Sequence, residues 1–201
     1  MTESVVLLHG LLMRRPAMMP LAMRLRREGF SPILFAYASL WQSPSKAMER
    51  LAMRLYGMEG PVHLVGHSLG GLIALETLNQ YQQLPTGRVV CLGSPIAGSA
   101  AARGLADLGL GLITGRSSRL LRGGLIQVPK RQVGAIAGGH SLGMGKWFGQ
   151  LDQPNDGTVA VWETRLPGLA DHLVIRSSHT GLAFSNEAAQ HTANFLRNGH
   201  F

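Results

Sequence analysis

The chain is short of charge, cysteine and aromatic rings, and each shortage excludes something. Of its 201 residues 15% are charged, 6% are aromatic and a single one, Cys91, is a cysteine. One cysteine closes no intramolecular disulfide, so a disulfide-stapled secreted scaffold is excluded and a cytoplasmic setting is expected. Low charge beside 45% hydrophobic residues is the reverse of the balance that keeps a chain disordered. No apolar run reaches the roughly 18 to 20 residues that cross a bilayer. The start, "MTESVVLLHG", lacks the basic segment and small-residue cleavage site of a secretory leader and reads as a strand. The histidines are scattered, with no H-x-x-x-H or C-x-x-C spacing, so neither a metal nor a cofactor is expected.

Negative charge is scarce as well. Nineteen Lys and Arg against 11 Asp and Glu leave a formal charge of +8. Much of the excess is local: Arg103, Arg116, Arg119, Arg122, Lys130 and Arg131 face only Asp107 between residues 96 and 131. A solvated surface is the plainer reading, and weak association with an anionic membrane surface or acidic substrate is the sharper one. Nucleic acid is not expected, because no basic stripe interleaved with aromatics is present.

What remains is a regular alternation. Apolar runs at 4–10, 31–37, 62–66, 88–94, 131–138 and 172–178 read as strands, with helices between them at about 16–28, 44–57, 68–83 and 185–198. Ser43 and Ser45 with Pro44 mark one helix start, and Ser185 followed by Glu187 marks another. Strands apolar throughout and separated by helices predict a mostly parallel sheet of about six strands covered on both faces. The class is α/β, in a single domain over residues 1–201. Two stretches break the rhythm, 95–130 and 139–157, and connections this long usually carry function. Leu105, Leu108, Leu112 and Ile113 recur at helical spacing, which predicts a small cap insertion, although leucines so spaced are more often plain core.

"VHLVGHSLGGLI" places Ser68 between a clean strand and a clean helix. Such a corner strains the serine backbone and needs Gly66 and Gly70, which carry no Cβ, where neighbouring chain comes close. It also holds the hydroxyl at the carboxyl edge of the sheet, beside a helix N-terminus that favours developing negative charge. The bland alternative, a serine that merely caps a helix, explains the pentapeptide but not its placement.

With the early "LLHGLL", this segment resembles the α/β-hydrolase superfamily, in its lipase and esterase branch, over nearly the whole chain. The resemblance implies a nucleophile–acid–histidine order along the chain. Among the later histidines, His172 opens a strand at the wrong edge and His191 lies within the last helix. His179, in "SSHTG", lies at the carboxyl edge. "PNDGTVAV" is similar to the acid turn of these lipases and points to Asp156, with Asp152 as the alternative; an ordinary Asx-turn would look the same. By the same resemblance the oxyanion donors are the backbone N–H groups of Leu69 and Leu11, with His9 and Gly10 shaping the turn. His67 is expected to pack beside the elbow. "LGSPIAGS" is similar to the Pro-His-x-Gly-Ser turn of bacterial lipases, except that Ile96 replaces the histidine. Paired cysteines and a calcium-type aspartate pair, found in secreted members, are missing.

The resemblance implies a serine hydrolase acting on small-molecule acyl esters, with lipid-like ones favoured if the cap leucines, Trp147 and Phe148 line an acyl pocket. A thioesterase or acyltransferase would use the same residues. A lipid-binding or membrane-surface protein on a hydrolase scaffold is the non-enzymatic alternative.

Overall fold

The computed structural model describes residues 2–107, 115–141 and 154–201. Six strands form one sheet: β1 (Ser4–Leu8), β2 (Ser31–Phe35), β3 (Val62–His67), β4 (Thr86–Leu92), β5 (Val133–Gly138) and β6 (Asp171–Ile175). Their order is β2-β1-β3-β4-β5-β6, and every neighbouring pair is parallel. The helices are α1 (Met19–Arg27), α2 (Pro44–Tyr56), α3 (Leu69–Gln80), α4 (Ala100–Asp107), α5 (Ser118–Gly123) and α6 (Asn186–Asn198).

The sequence explains why both faces of the sheet are dry. Side chains alternate along a strand, so Val5 and Leu7 of β1 pack with α1 and α6, while Val6 and Leu8 pack with α2 and α3. All four are fully buried, as a strand without polar alternation requires. The expected serine caps are real: Ser43 Oγ accepts from Lys46 N at 3.4 Å and Ser185 Oγ from Ala188 N at 3.1 Å. Cys91 lies buried in β4, and burial pushes its thiol up to about 12.

Element ends differ from expectation for local reasons. β1 stops at Leu8, because His9 and Gly10 enter a turn in which Met13 N donates to Gly10 O. β4 ends at Leu92 because Gly93 turns the chain with φ +55°. β6 ends at Ile175, where Ser177 N turns back onto Ile175 O. Of the residues expected to form a cap helix, Leu105 falls in α4; Leu108, Leu112 and Ile113, with Trp147, Phe148 and Asp152, lie outside the described residues. Among the described residues no helix is long and apolar enough to cross a membrane.

One topological feature positions the site. From β1 the chain first moves outward to β2, then returns to the other side of β1 as β3. At such a reversal the two connecting loops diverge, leaving a crevice at the carboxyl ends of the adjacent strands. The segments that leave β1 and β3 border it, and these carry His9–Leu11 and Ser68.

The α6 face depends on Phe195, which is fully buried and packs against Phe201 at 4.8 Å between ring centroids. Phe195→Ala should cost about 3 to 5 kcal/mol in urea unfolding. A loss below about 1 kcal/mol would contradict the packing described.

Candidate active site

Ser68 stands at the β3–α3 corner with φ 53° and ψ −121°, a conformation an L residue adopts only under strain. Its neighbours show what holds it there. A Cβ at Gly66 would fall 2.3 Å from Gly71 N, and one at Gly70 would fall 2.5 Å from Leu8 O. Both clashes are with backbone, so no side-chain movement relieves them. Ser68 N donates to Leu92 O at 2.8 Å, which ties the corner to the end of β4. The Ser68 hydroxyl makes no capping bond to α3, which sets aside the helix-cap reading.

Asp156 lies in the turn after β5, and it is almost completely buried. Oδ1 accepts from Thr158 N at 3.0 Å and Val159 N at 2.7 Å, leaving Oδ2 for His179 Nδ1 at 2.7 Å. A carboxylate oxygen accepts, so Nδ1 carries the proton and Nε2 presents a lone pair. A backbone bond joins the same two residues, with His179 N donating to Asp156 O at 2.9 Å. Gly157 turns the chain behind the carboxylate with φ +92°, and Gly157 N donates to Asn155 Oδ1 at 2.9 Å. Gly93 is the floor of this pair: a Cβ there would lie 3.1 Å from Asp156 Oδ2 and 3.2 Å from His179 Nδ1.

His67 and His9 are buried supports. His67 Nε2 donates to the His179 carbonyl at 2.8 Å, and the two rings lie 4.8 Å apart. Burial, with His179 adding to it, pushes the His67 imidazole down to about 3, so it stays neutral. Among the described residues His67 Nδ1 has no hydrogen-bond partner, and it faces Gly10, where a Cβ would come within 2.9 Å. His9 stacks on Tyr37 at 4.3 Å, and its carbonyl accepts from the Tyr37 hydroxyl. Its Nδ1 lies 2.9 Å from Gly10 O, and burial lowers its pKa. Gly10 lies against the elbow, since a Cβ there would be 3.1 Å from Ser68 Cβ. Among the described residues, the N–H groups of Leu11 and Leu69 have no protein acceptor.

The structure thus joins Asp156 to His179 directly, and His179 to the elbow through His67. Ser68 Oγ and His179 Nε2 make no hydrogen bond among the described contacts; such bonds are commonly long without substrate and tighten in the reacting complex. His172 is elsewhere, its Nε2 paired with Thr164 Oγ1 at 2.8 Å.

Two residues escaped the sequence reading. Tyr37 supports His9, and only its place at the end of a strand run hinted at this. Glu163 is fully buried, with Oε2 accepting from Ala160 N at 2.8 Å and Oε1 from Ala100 N, the first amide of α4. It therefore links the acid turn to the 95–130 insertion. Burial raises its pKa. A lone acid inside "TVAVWETR" was the available signal.

Residues 5–190 match the profile of the Alpha/beta hydrolase family, and the chain belongs to that family. Several solved structures share the fold. A mature Bacillus licheniformis lipase aligns with a TM-score of 0.73 at 21% identity, over 100% of this chain and 93% of that one. An esterase from Pyrococcus furiosus aligns at 0.67 and 19% identity, over 97% and 81%. A metagenomic carboxyl esterase aligns at 0.68 and 19% identity, over 88% of this chain and 64% of that longer one. A search of curated protein sequences gave no match.

His9, His63, His67 and His172 all have lowered pKa values, burial being the largest cause in each. Below the ordinary 6.5 the unfolded chain takes up protons that the folded chain refuses, so stability present at neutral pH is lost as pH falls toward the folded values, about 3 for His67 and about 4 for His172. Urea unfolding should therefore show stability falling from pH 6.5 to 4.5. His67→Gln should flatten the fall by up to about 1.4 kcal/mol per pH unit. Equal slopes in the two proteins would contradict a neutral, buried His67.

Proposed function

We propose that this chain is a serine hydrolase of carboxylic esters. Ser68 Oγ attacks the acyl carbonyl, His179 Nε2 takes the hydroxyl proton, and the Leu11 and Leu69 amides receive the oxyanion. His179 returns the proton to the leaving alcohol, giving an acyl-serine. A water molecule, deprotonated by His179, then releases the acid and restores the hydroxyl. Asp156 fixes the imidazole so that its lone pair faces the serine side. The observation that carries this reading is the bond between Asp156 Oδ2 and His179 Nδ1. Beside the strained Ser68, it supplies the base and orienter that a serine hydroxyl needs before it is a useful nucleophile. The structural likeness to lipases and esterases supports the ester class, and the 95–130 insertion is the part that would cover the acyl chain.

Thioester hydrolysis uses the same atoms. The two are separated by comparing oxygen esters and thioesters of one acyl group. The lone cysteine fits a cytoplasmic location, and the basic stretch at 95–130 fits weak contact with anionic membranes.

Ser68→Ala should lower p-nitrophenyl ester turnover by at least about 10⁴-fold and abolish fluorophosphonate labelling, with the unfolding midpoint retained. Asp156→Asn should lower turnover by about 10³ to 10⁴, because the wrong tautomer is then favoured. Undiminished turnover in Ser68→Ala would reject the mechanism.

A further inference from the structure

A cavity of about 840 Å³ opens beside the oxyanion turn, between the loops that follow β1 and β2. Its floor is His9 and Tyr37, and its walls include Leu12, Trp41 and three arginines, Arg14, Arg15 and Arg50. Ser68 itself is outside the lining. The two are joined through the turn, since His9 lines the cavity and its neighbour Gly10 lies against Ser68.

The charge of this cavity is one-sided. Among the described residues no carboxylate lines it and none of its arginines is in an ion pair. Arg14, Arg15 and Arg50 are exposed, and three like charges gathered around one concavity raise the local positive potential that an anion meets. Arg50 is also held in place: Nη1 donates to Gln42 Oε1 at 3.3 Å, and the guanidinium lies 5.8 Å from the centre of the Phe35 ring. A guanidinium fixed this way keeps further donors for a ligand, and its planar fork matches the spacing of phosphate or carboxylate oxygens. Arg14 and Arg15 make no side-chain hydrogen bond among the described contacts, so their donors are open as well. Leu12 and Trp41, 62% and 82% exposed, give the mouth an apolar rim. A rim of that kind suits the hydrocarbon between an ester and its charged end.

We infer that this arginine-lined cavity is a specificity subsite for esters carrying a phosphate or carboxylate at the end remote from the scissile bond. The inference rests on the proposed ester hydrolysis at Ser68 and deepens it by naming the substrate's charge. The anion docks against Arg14, Arg15 and Arg50, the apolar part crosses the Leu12–Trp41 rim, and the ester carbonyl reaches Ser68 across the His9–Gly10 turn. No bond beyond those of the hydrolysis itself is made or broken.

Two matched ester pairs test it and separate the two sources of negative charge. Decanoylglycerol and its phosphate place the anion on the alcohol. Ethyl hexanoate and monoethyl adipate place it on the acyl group. Binding is read by calorimetry on Ser68→Ala, and kcat/KM on the unmodified chain. In at least one pair the anionic member should bind at least about tenfold more tightly and be turned over preferentially, with the preference falling as salt rises. The triple variant Arg14→Gln, Arg15→Gln and Arg50→Gln should reduce that preference to near parity, with an unchanged circular-dichroism spectrum. Equal binding of both members in both pairs, or a preference that survives the triple variant, would overturn the subsite. Binding only to anionic vesicles, with none to the dispersed phosphate ester, would overturn it in favour of a membrane-docking surface. If the preference persists in Ser68→Ala but the unmodified chain neither cleaves any ester nor reacts with a fluorophosphonate, the subsite stands and the hydrolase reading falls.

Discussion

No atom larger than hydrogen fits on the inner side of the corner where β3 passes into α3. Gly66 lies against the backbone of Gly70 and Gly71, and Gly70 against the carbonyls of Leu8 and His9. This close approach forces Ser68 into its left-handed conformation, since no wider turn connects a buried strand to a helix packed that tightly. The strain of roughly 1 to 3 kcal/mol is held by what surrounds it. All but the last turns of α3 are buried, and Ser68 N is bonded to β4. The same proximity draws the loop after β1 against the elbow through Gly10. The elbow and the placement of the turn after β1 are therefore consequences of one packing contact.

The sheet and the corner were legible in the sequence because each is set by local chemistry. Six apolar runs gave six strands, and Ser43 and Ser185 cap their helices as serines before a helix do. Gly66 and Gly70 flank a serine at a strand-to-helix transition, and that arrangement has few other uses. Strand ends were less legible. Whether His9 continues β1 depends on a turn closed by Met13 and Gly10, and the apolar pattern does not register such a turn.

The buried polar network was the least legible part. Its bonds join residues far apart in sequence, with partner identities decided by tertiary packing. His67 to the His179 carbonyl is one example, and Glu163 to Ala100 is another. Periodicity carries no record of either. The acid–histidine pair was reached in the sequence through likeness to a family. The structure adds how Asp156 is oriented: two backbone amides hold one oxygen, so the other is aimed at His179.

Glu163 shows how the segment after β4 is attached to the turn that carries Asp156. Its two carboxylate oxygens divide between Ala160 in the acid turn and Ala100 at the start of α4, while its carbonyl accepts from Ala97 N at 2.9 Å. A buried carboxylate is stable only with such donors, so loosening either segment leaves a charge unsatisfied in the interior. The insertion is closed at its base by Ser99 N to Leu121 O and Leu125 N to Ile96 O. Farther along, Ser117 Oγ reaches Ser39 O at 3.4 Å, in the loop that follows β2. β4 and β2 lie on opposite sides of the β1–β3 crevice. The described parts of this segment are thus anchored beside the end of β4 and touch the loop after β2. The loop it touches, 36–42, is also a wall of the arginine-lined cavity. The glycine contacts that set Ser68 involve neither this loop nor the segment after β4.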